Sequence, residues 1–469
     1  MIYRSGMATD LLIISTNIGN LKNREFIECP SRDVMIHRFL TTEFLERQME
    51  SVEVSPELRK GRNQLAVTVT LGHAVKHVFN SALPILLTLM KGDLGLSNTQ
   101  YGVITSVGRG TSGATTMVAG YLGERFANRA GLMLFISLSM MGISYFLLGF
   151  APSFWWVLAV MLLVGIGPSL YHPPAIASLS RKFPDRRGFA ISLHGTGGSV
   201  GEMLGPIVVG LLTTESVKTA SIISLTYLVA FQWNEVLKIS VFPALLFAVL
   251  VYLMMRNIPT ADSDTASLRD YFGDVGLLLK DKVMLGLIFV TAFRSMAQAT
   301  IVAFLPVYLI DTLGKDAITT AFFIAGAQAT GIVAQPIMGW LSDKYGRKIV
   351  LVPAMSLLGV LYLTLSVADD GVQLMLNVLA MGAFVYSLHT IFIAAAMDVA
   401  KGRAQSTVVS LIYGASFLGT IGPVIAGLLS DTDLGIKSCF IFSGVVALIS
   451  TAILAGLKLP KTINQQQAH

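Results

Sequence analysis

The chain has 469 residues, 53% of them hydrophobic and 13% charged, with a mean hydropathy of +0.67. Soluble domains carry about 25% charged residues, so a cytosolic globular enzyme and a disordered protein are both excluded, and most of the chain must face lipid. A net charge of +6 suits a polytopic protein whose cytoplasmic loops meet anionic lipid. No basic cluster interleaved with aromatics offers a nucleic-acid surface, and two cysteines, Cys29 and Cys439, cannot make a disulfide framework.

Residues 1–62 hold nine basic and nine acidic residues and no long apolar run, which predicts a soluble cytoplasmic tail without a secretory signal. Residues 38–50 can form an amphipathic surface helix; a tail without a role, or translation starting at Met35 or Met49, are the alternatives. From Gln64 onward apolar stretches recur at about 64–90, 99–122, 131–151, 154–178, 188–212, 236–255, 283–310, 317–340, 348–367, 372–396, 404–429 and 436–457. They predict an all-α membrane protein of twelve transmembrane helices. A further apolar run, 219–232, is too short to cross and is expected to be an interfacial or re-entrant helix.

The loops after even-numbered spans carry eleven Lys and Arg residues, including Arg125, Arg186, Arg347 and Arg403, against five in the odd-numbered loops. Both termini are therefore expected inside. The hydrophilic stretch 257–282 divides the spans six and six, giving a tail 1–62, a six-helix bundle 63–256, a cytoplasmic linker 257–282, a second bundle 283–457 and a tail 458–469.

The halves repeat each other. Gly205-Pro206-Ile-Val-Val-Gly210 matches Gly422-Pro423-Val-Ile-Ala-Gly427 at an offset of 217, which also carries His172 onto His389. At 219, Gly120-Tyr-Leu-Gly-Glu124-Arg125-Phe falls on Gly339-Trp-Leu-Ser-Asp343-Lys344-Tyr. Duplicated six-helix halves place a binding site near the bilayer midplane between them, served by alternating access.

Between spans eight and nine stands Gly339-Trp-Leu-Ser-Asp343-Lys344-Tyr-Gly346-Arg347-Lys348. Gly339 permits close helix approach, Gly346 a turn with positive φ, and Asp343 with Lys344 and Arg347 can form ion pairs at a helix end that hold one conformational state. This run resembles the loop motif of the major facilitator superfamily, and Gly120 and Glu124 stand at the matching first-half positions, with Glu for Asp and Ala127 for the second Gly. Span five, with Gly198, Gly201, Glu202, Gly205, Pro206 and Gly210, resembles the antiporter motif of the same superfamily. Its glycines four apart let helices touch backbone to backbone, and Pro206 allows a bend. The pattern around Tyr171-His172-Pro173-Pro174 and Phe293-Arg294-Ser295 is similar to the fosmidomycin-resistance-like efflux branch, which implies a transporter fold of two pseudo-symmetric bundles and export of small molecules.

A charge at the centre of a membrane helix is costly and marks function by default. Span one places Thr70, His73, Lys76 or His77, and Asn80 on one face; Arg109 lies in span two, Arg294 with Gln298 one turn on in span seven, and Glu202 in span five with His194 two turns before it. Three cations against one carboxylate are unbalanced unless an anion fills the cavity or the acid pairs with one of them. The expected substrate is thus a small organic anion such as a phosphonate, organic phosphate or carboxylate, bound by Lys76, Arg109 and Arg294 with His73, His77 and Gln298. Glu202, with His194, is the expected proton carrier, and His172, beside Pro173-Pro174, reads more readily as a packed residue than a protonated one.

No phosphate-binding loop, nucleophile elbow or His-Glu-x-x-His occurs, so no enzyme activity, direct ATP drive, cofactor or metal is expected. These features together predict a monomeric, proton-coupled exporter in a bacterial inner membrane; an importer or anion exchanger of the same fold, and a non-transporting sensor whose tail is the working part, are the alternatives.

Overall fold

The computed structural model describes residues 59–460 except 184–186, 215, 220–222, 227–229, 259–272, 274 and 401–404. Contacts group the chain into Met1–Val54 and Ser55–His469, and every described residue lies in the second unit. The surface helix expected at 38–50 lies outside the described residues.

Twelve spans cross the described bundle. In the first half they are Arg62–Asp93, Asn98–Arg125, Ala130–Leu148, the broken pair Phe154–Ser169 and His172–Lys182, Arg187–Thr213, and the pair Trp233–Ile239 and Val241–Met255. In the second they are Lys282–Val307 with a π turn over Tyr308–Thr312, Ala317–Tyr345, Arg347–Thr364, the broken pair Val372–Val385 and Leu388–Ala400, the pair Gln405–Leu418 and Gly422–Ser430, and Lys437–Gly456. Nine are long and apolar enough to cross a bilayer by length and composition; spans one, two and five are long enough but more polar. Large apolar side chains point outward, as at Trp155, Phe242 and Val333, which in this all-helical bundle is the lipid-facing surface.

The sequence sets the helix starts locally. Asp281 accepts from the Val283 and Met284 amides to cap span seven, and Asp316 accepts from Thr319 to cap span eight. Ser97 and Gln100 form a reciprocal capping box at span two. The run 219–232 is not the expected helix: Ser216–Thr219 pairs antiparallel with Ile223–Thr226. The β-branched residues of the two strands, Val217, Thr219, Ile223 and Thr226, favour this pairing over a short helix.

The repeats pack alike. A Cβ on Gly205 would stand 2.2 Å from the Val78 carbonyl of span one, and on Gly422 it would stand 2.5 Å from the Met296 carbonyl of span seven. Gly201 sits likewise on Ala74, 2.2 Å from its carbonyl. The two Gly-Pro motifs therefore do the same thing in each half, seating span five on span one and span eleven on span seven.

The halves meet tightly at one end. There Gly102 lies against the Pro423 carbonyl and Gly427 against that of Asn98. Lys91 pairs with Asp311 at 2.8 Å, Tyr101 donates to the Ala303 carbonyl at 3.0 Å, and Asp431 accepts from the amides of Asn98 and Thr99. Hydrogen bonds between described residues of opposite halves are confined to this end, which holds the loops after spans one, seven and eleven.

Candidate functional site

Below the sealed end the halves enclose a chamber of about 560 Å³, lined among others by His77, Arg109, Glu202, Arg294, Gln298 and His389. A second lobe of about 380 Å³ shares His77, Arg109, Glu202 and Gln298 and extends toward Pro84 and Pro306, in the direction of the seal.

Arg109 is exposed to the chamber, and no described acidic side chain pairs with it. Arg294 is 4% exposed; it donates to Gln298 Oε1 at 2.8 Å, lies 3.3 Å from His389 Nδ1 and rests over the Phe392 ring. Its Nε has no hydrogen-bond partner. Two guanidiniums from opposite halves therefore face one cavity with donors unspent.

Lys76 does not join them. It is 4% exposed, lines neither lobe, and donates to His172 Nε2 at 2.5 Å, with a longer approach of 3.4 Å to His77 Nε2. Neighbours on a helix point 100° apart, so only one of Lys76 and His77 can face the cavity, and it is His77. The sequence-based placement of Lys76 as a direct substrate contact is corrected accordingly. His172 is no inert packing residue but the acceptor for this lysine. The second half repeats the arrangement, with Arg294 beside His389, each histidine following the break in its span, at 170–171 and 386–387. Half-helices interrupted beside a cavity are where transporters of this architecture bind ligands.

Donor counting fixes the protons around span one. A carbonyl only accepts, so His73 Nδ1 carries its hydrogen toward the His194 carbonyl, 2.7 Å away, and Nε2 offers a lone pair. His77 Nε2 lies 3.0 Å from that lone pair and 3.4 Å from Lys76 Nζ, and the shorter contact is satisfied when His77 Nε2 donates to His73. The other nitrogen, His77 Nδ1, lies 2.9 Å from Glu202 Oε1, a close ion-pair approach off ideal hydrogen-bond alignment. His77 and Glu202 thus stand close enough to hold one proton between them, as imidazolium with carboxylate or as imidazole with carboxylic acid. Glu202 is a third exposed and lines both lobes, so a proton held there borders the chamber.

His194 does not accompany Glu202 as expected. It is buried and stacks on His73 with ring centroids 3.7 Å apart; the partner of Glu202 is His77. His73 is 4% exposed and reaches the chamber only at its wall.

Gly346 has φ 104°, as the turn requires. Arg347 donates to Asp343, to Ser342 Oγ at 2.7 Å and from Nε to Asp398 Oδ2 at 3.0 Å. The ion pairs tie spans eight, nine and ten of one half together, and Lys344 lies over the Trp340 and Tyr345 rings. A Cβ on Gly339 would meet nothing within 4 Å, so the close approach expected there is not made in this conformation. Gly120 and Glu124 fall on the span-two helix, and their side chains lie outside the described residues.

Sequence reasoning missed His389 as a neighbour of Arg294, the chamber-lining Tyr386 and Tyr413, and Asp398. The offset of 217 pointed to His389; an acid at the end of span ten carried no spacing signal.

A polytopic helical bundle of two repeats, sealed at one end over a polar chamber to which both contribute, is a transporter and not an enzyme. The chain belongs to the Major Facilitator Superfamily, whose model matches residues 69–333 and 287–468. It is 26% identical over 357 residues to the multidrug resistance protein MdtG of Enterobacter lignolyticus, covering 72% of this chain and 78% of that one. To the fosmidomycin resistance protein of Escherichia coli K12 it is 25% identical over 372 residues, covering 77% and 85%. Among solved structures, a bacterial homolog of the human lysosomal transporter Spinster, inward-facing and unoccupied, aligns with a TM-score of 0.66 at 18% identity over 84% of this chain and 96% of that one. The nucleoside transporter NupG aligns at 0.68 with 14% identity, covering 86% and 100%. The superfamily resemblance drawn from the loop and span-five motifs holds.

Proposed function

We propose that the protein is a proton-coupled antiporter that exports a small organic anion, with both termini on the cytoplasmic side of a bacterial inner membrane. The observation that carries this reading is the pair Arg109 and Arg294, one from each half, on one chamber whose carboxylate, Glu202, is already engaged by His77. An anion bridging the two guanidiniums draws the halves together and neutralises a pair of charges that is otherwise costly in the bundle. The volume accommodates a drug-sized solute. Resistance proteins among the relatives support export, and the positive-inside asymmetry of the loops supports a cytoplasmic placement of the end opposite the seal. The proton between His77 and Glu202 is the coupling proton, exchanged as the wall of span five moves. Asp343, Arg347 and Gly346 hold the inner ends of spans eight to ten as one gating body.

The test is Arg294→Ala in the full chain. Removing a charge-assisted contact of about 1.5–3 kcal/mol weakens solute affinity roughly tenfold to a hundredfold, so export falls to background while the protein still inserts and purifies as a monomer. Undiminished export of every anionic solute that the unaltered chain exports would remove the anion site.

A further inference from the structure

Behind the chamber wall lies a cluster that the transport reading does not use. His73 and His194 stack at 3.7 Å, His73 and His172 meet edge to face at 4.8 Å, and one nitrogen of each of the three rings lies within 4.8 Å of the other two. His73 and His194 are at most 4% exposed.

Two further facts concern what this cluster is built to hold. His194, 3% exposed, has no hydrogen-bond partner of proper geometry on either ring nitrogen, only a looser contact with the Val69 backbone. A buried imidazole left this way costs free energy unless something else satisfies it. And one lone pair of the cluster already faces an ammonium: Lys76 Nζ sits 2.5 Å from His172 Nε2. The His73 tautomer points the same way. Its Nδ1–H is anchored on a backbone carbonyl, and its Nε2 lone pair, which faces His77 Nε2 at 3.0 Å here, is the one that a metal ion would take over, the arrangement that orients metal-ligating histidines.

We propose that His73, His172 and His194 form a binding site for a divalent cation of the zinc class, with Lys76 as its built-in competitor. Three neutral imidazoles suit Zn²⁺ and Co²⁺ and leave a fourth position for water. Ligand nitrogens around one such ion stand closer together than 4.8 Å, so binding contracts the cluster, and the ammonium of Lys76 must swing off His172 or give up its proton. Ion and charged lysine exclude one another. Tyr171, stacked beside His73 and His194 with its hydroxyl on the Val69 carbonyl, His77, edge-on to His73, and, beyond His77, Glu202 are the other described titratable groups facing the cluster.

The experiment is a Co²⁺ titration of the full chain, purified without a polyhistidine tag into phospholipid nanodiscs and followed by visible ligand-field absorption, with Zn²⁺ displacement as the second reading. One ion per chain is expected, with absorption typical of a four-coordinate site. His172→Gln and His194→Gln should each weaken binding about tenfold or more, whereas Lys76→Met, which removes the competing charge and keeps the packing, should tighten it about tenfold. Loss of binding in a histidine variant counts only where its thermal melt matches the parent; Lys76→Met provides a gain that misfolding cannot mimic. The proposal is overturned if neither the parent nor Lys76→Met binds, or if binding persists unchanged in the triple glutamine variant. Transport is not the readout, so the outcome stands apart from that of Arg294→Ala.

Discussion

Asp431 supplies a cap to a helix in the other half of the molecule. The first turn of span two exposes amides that its own residues cannot all satisfy. Ser97 takes the Gln100 amide, and Asp431, reaching across from the end of span eleven, takes those of Asn98 and Thr99 at 2.9 and 2.8 Å. These bonds exist only while this end is shut. A side-chain cap contributes about 1 kcal/mol and a negative charge at a helix start about 0.5 kcal/mol at an exposed position, so Asp431→Ala should favour opening by about 1.5 kcal/mol, close to tenfold in population. Spin labels at Gly92 and Leu434, exposed positions in opposite halves at this end, would report the change as growth of a longer-distance population in the full chain. Gln100→Ala is the control, since the bond that it breaks, from the Ser97 amide, lies within span two and is the same in either state. An unchanged distance distribution in Asp431→Ala, or an equal shift in Gln100→Ala, would refute the argument. The pH dependence has a definite sign. Burial pushes the Asp431 carboxyl up, but bonds from Thr99, Asn98 and Ser97 outweigh it and hold it below the usual carboxylate range. The closed end is favoured fully above that range and loses the contribution as pH falls through the lowered value.

Glu202→Gln should abolish uphill, gradient-driven movement of solute in proteoliposomes while solute-for-solute counterflow continues; accumulation that still follows an imposed proton gradient would exclude Glu202 from coupling. Asp398→Ala should leave Arg347 with one acid partner, lower thermal stability by an amount corresponding to about 1–2 kcal/mol, and slow turnover more than it weakens solute binding. A loss confined to binding would place Asp398 in the solute pathway instead.

The architecture was legible because the bilayer imposes it. Twelve apolar stretches, alternating loop charge and an offset of 217 leave few arrangements open, and the Gly-Pro motifs named in sequence do turn out to seat equivalent helices. The chamber was legible in part. Arg109, Arg294, Gln298 and Glu202 were marked by the cost of placing them in a membrane helix, and they converge. Lys76 and His77 carried the same mark, but adjacent residues cannot share a face, and helical spacing alone does not say which of two neighbours looks inward. Asp398 was invisible for a different reason: at the end of a span an acid costs little, so it draws no notice until the fold brings Arg347 to within 3.0 Å of it.

The spans that fall short of the hydropathy of a membrane crossing are one, two and five, and they hold His73, His77, Arg109, His194 and Glu202. Span five turns its glycines onto span one, so the polar residues of both are pressed together away from lipid. That is why helices this polar can cross at all: lipid meets their apolar backs while His73, His77, the lysine and the glutamate satisfy one another or face the chamber and His194 stacks among them. The polarity that weakens them as membrane spans is therefore the same feature that makes a site, and a substitution that made span five more hydrophobic, Glu202→Leu for instance, would improve its insertion at the expense of the pairing with His77.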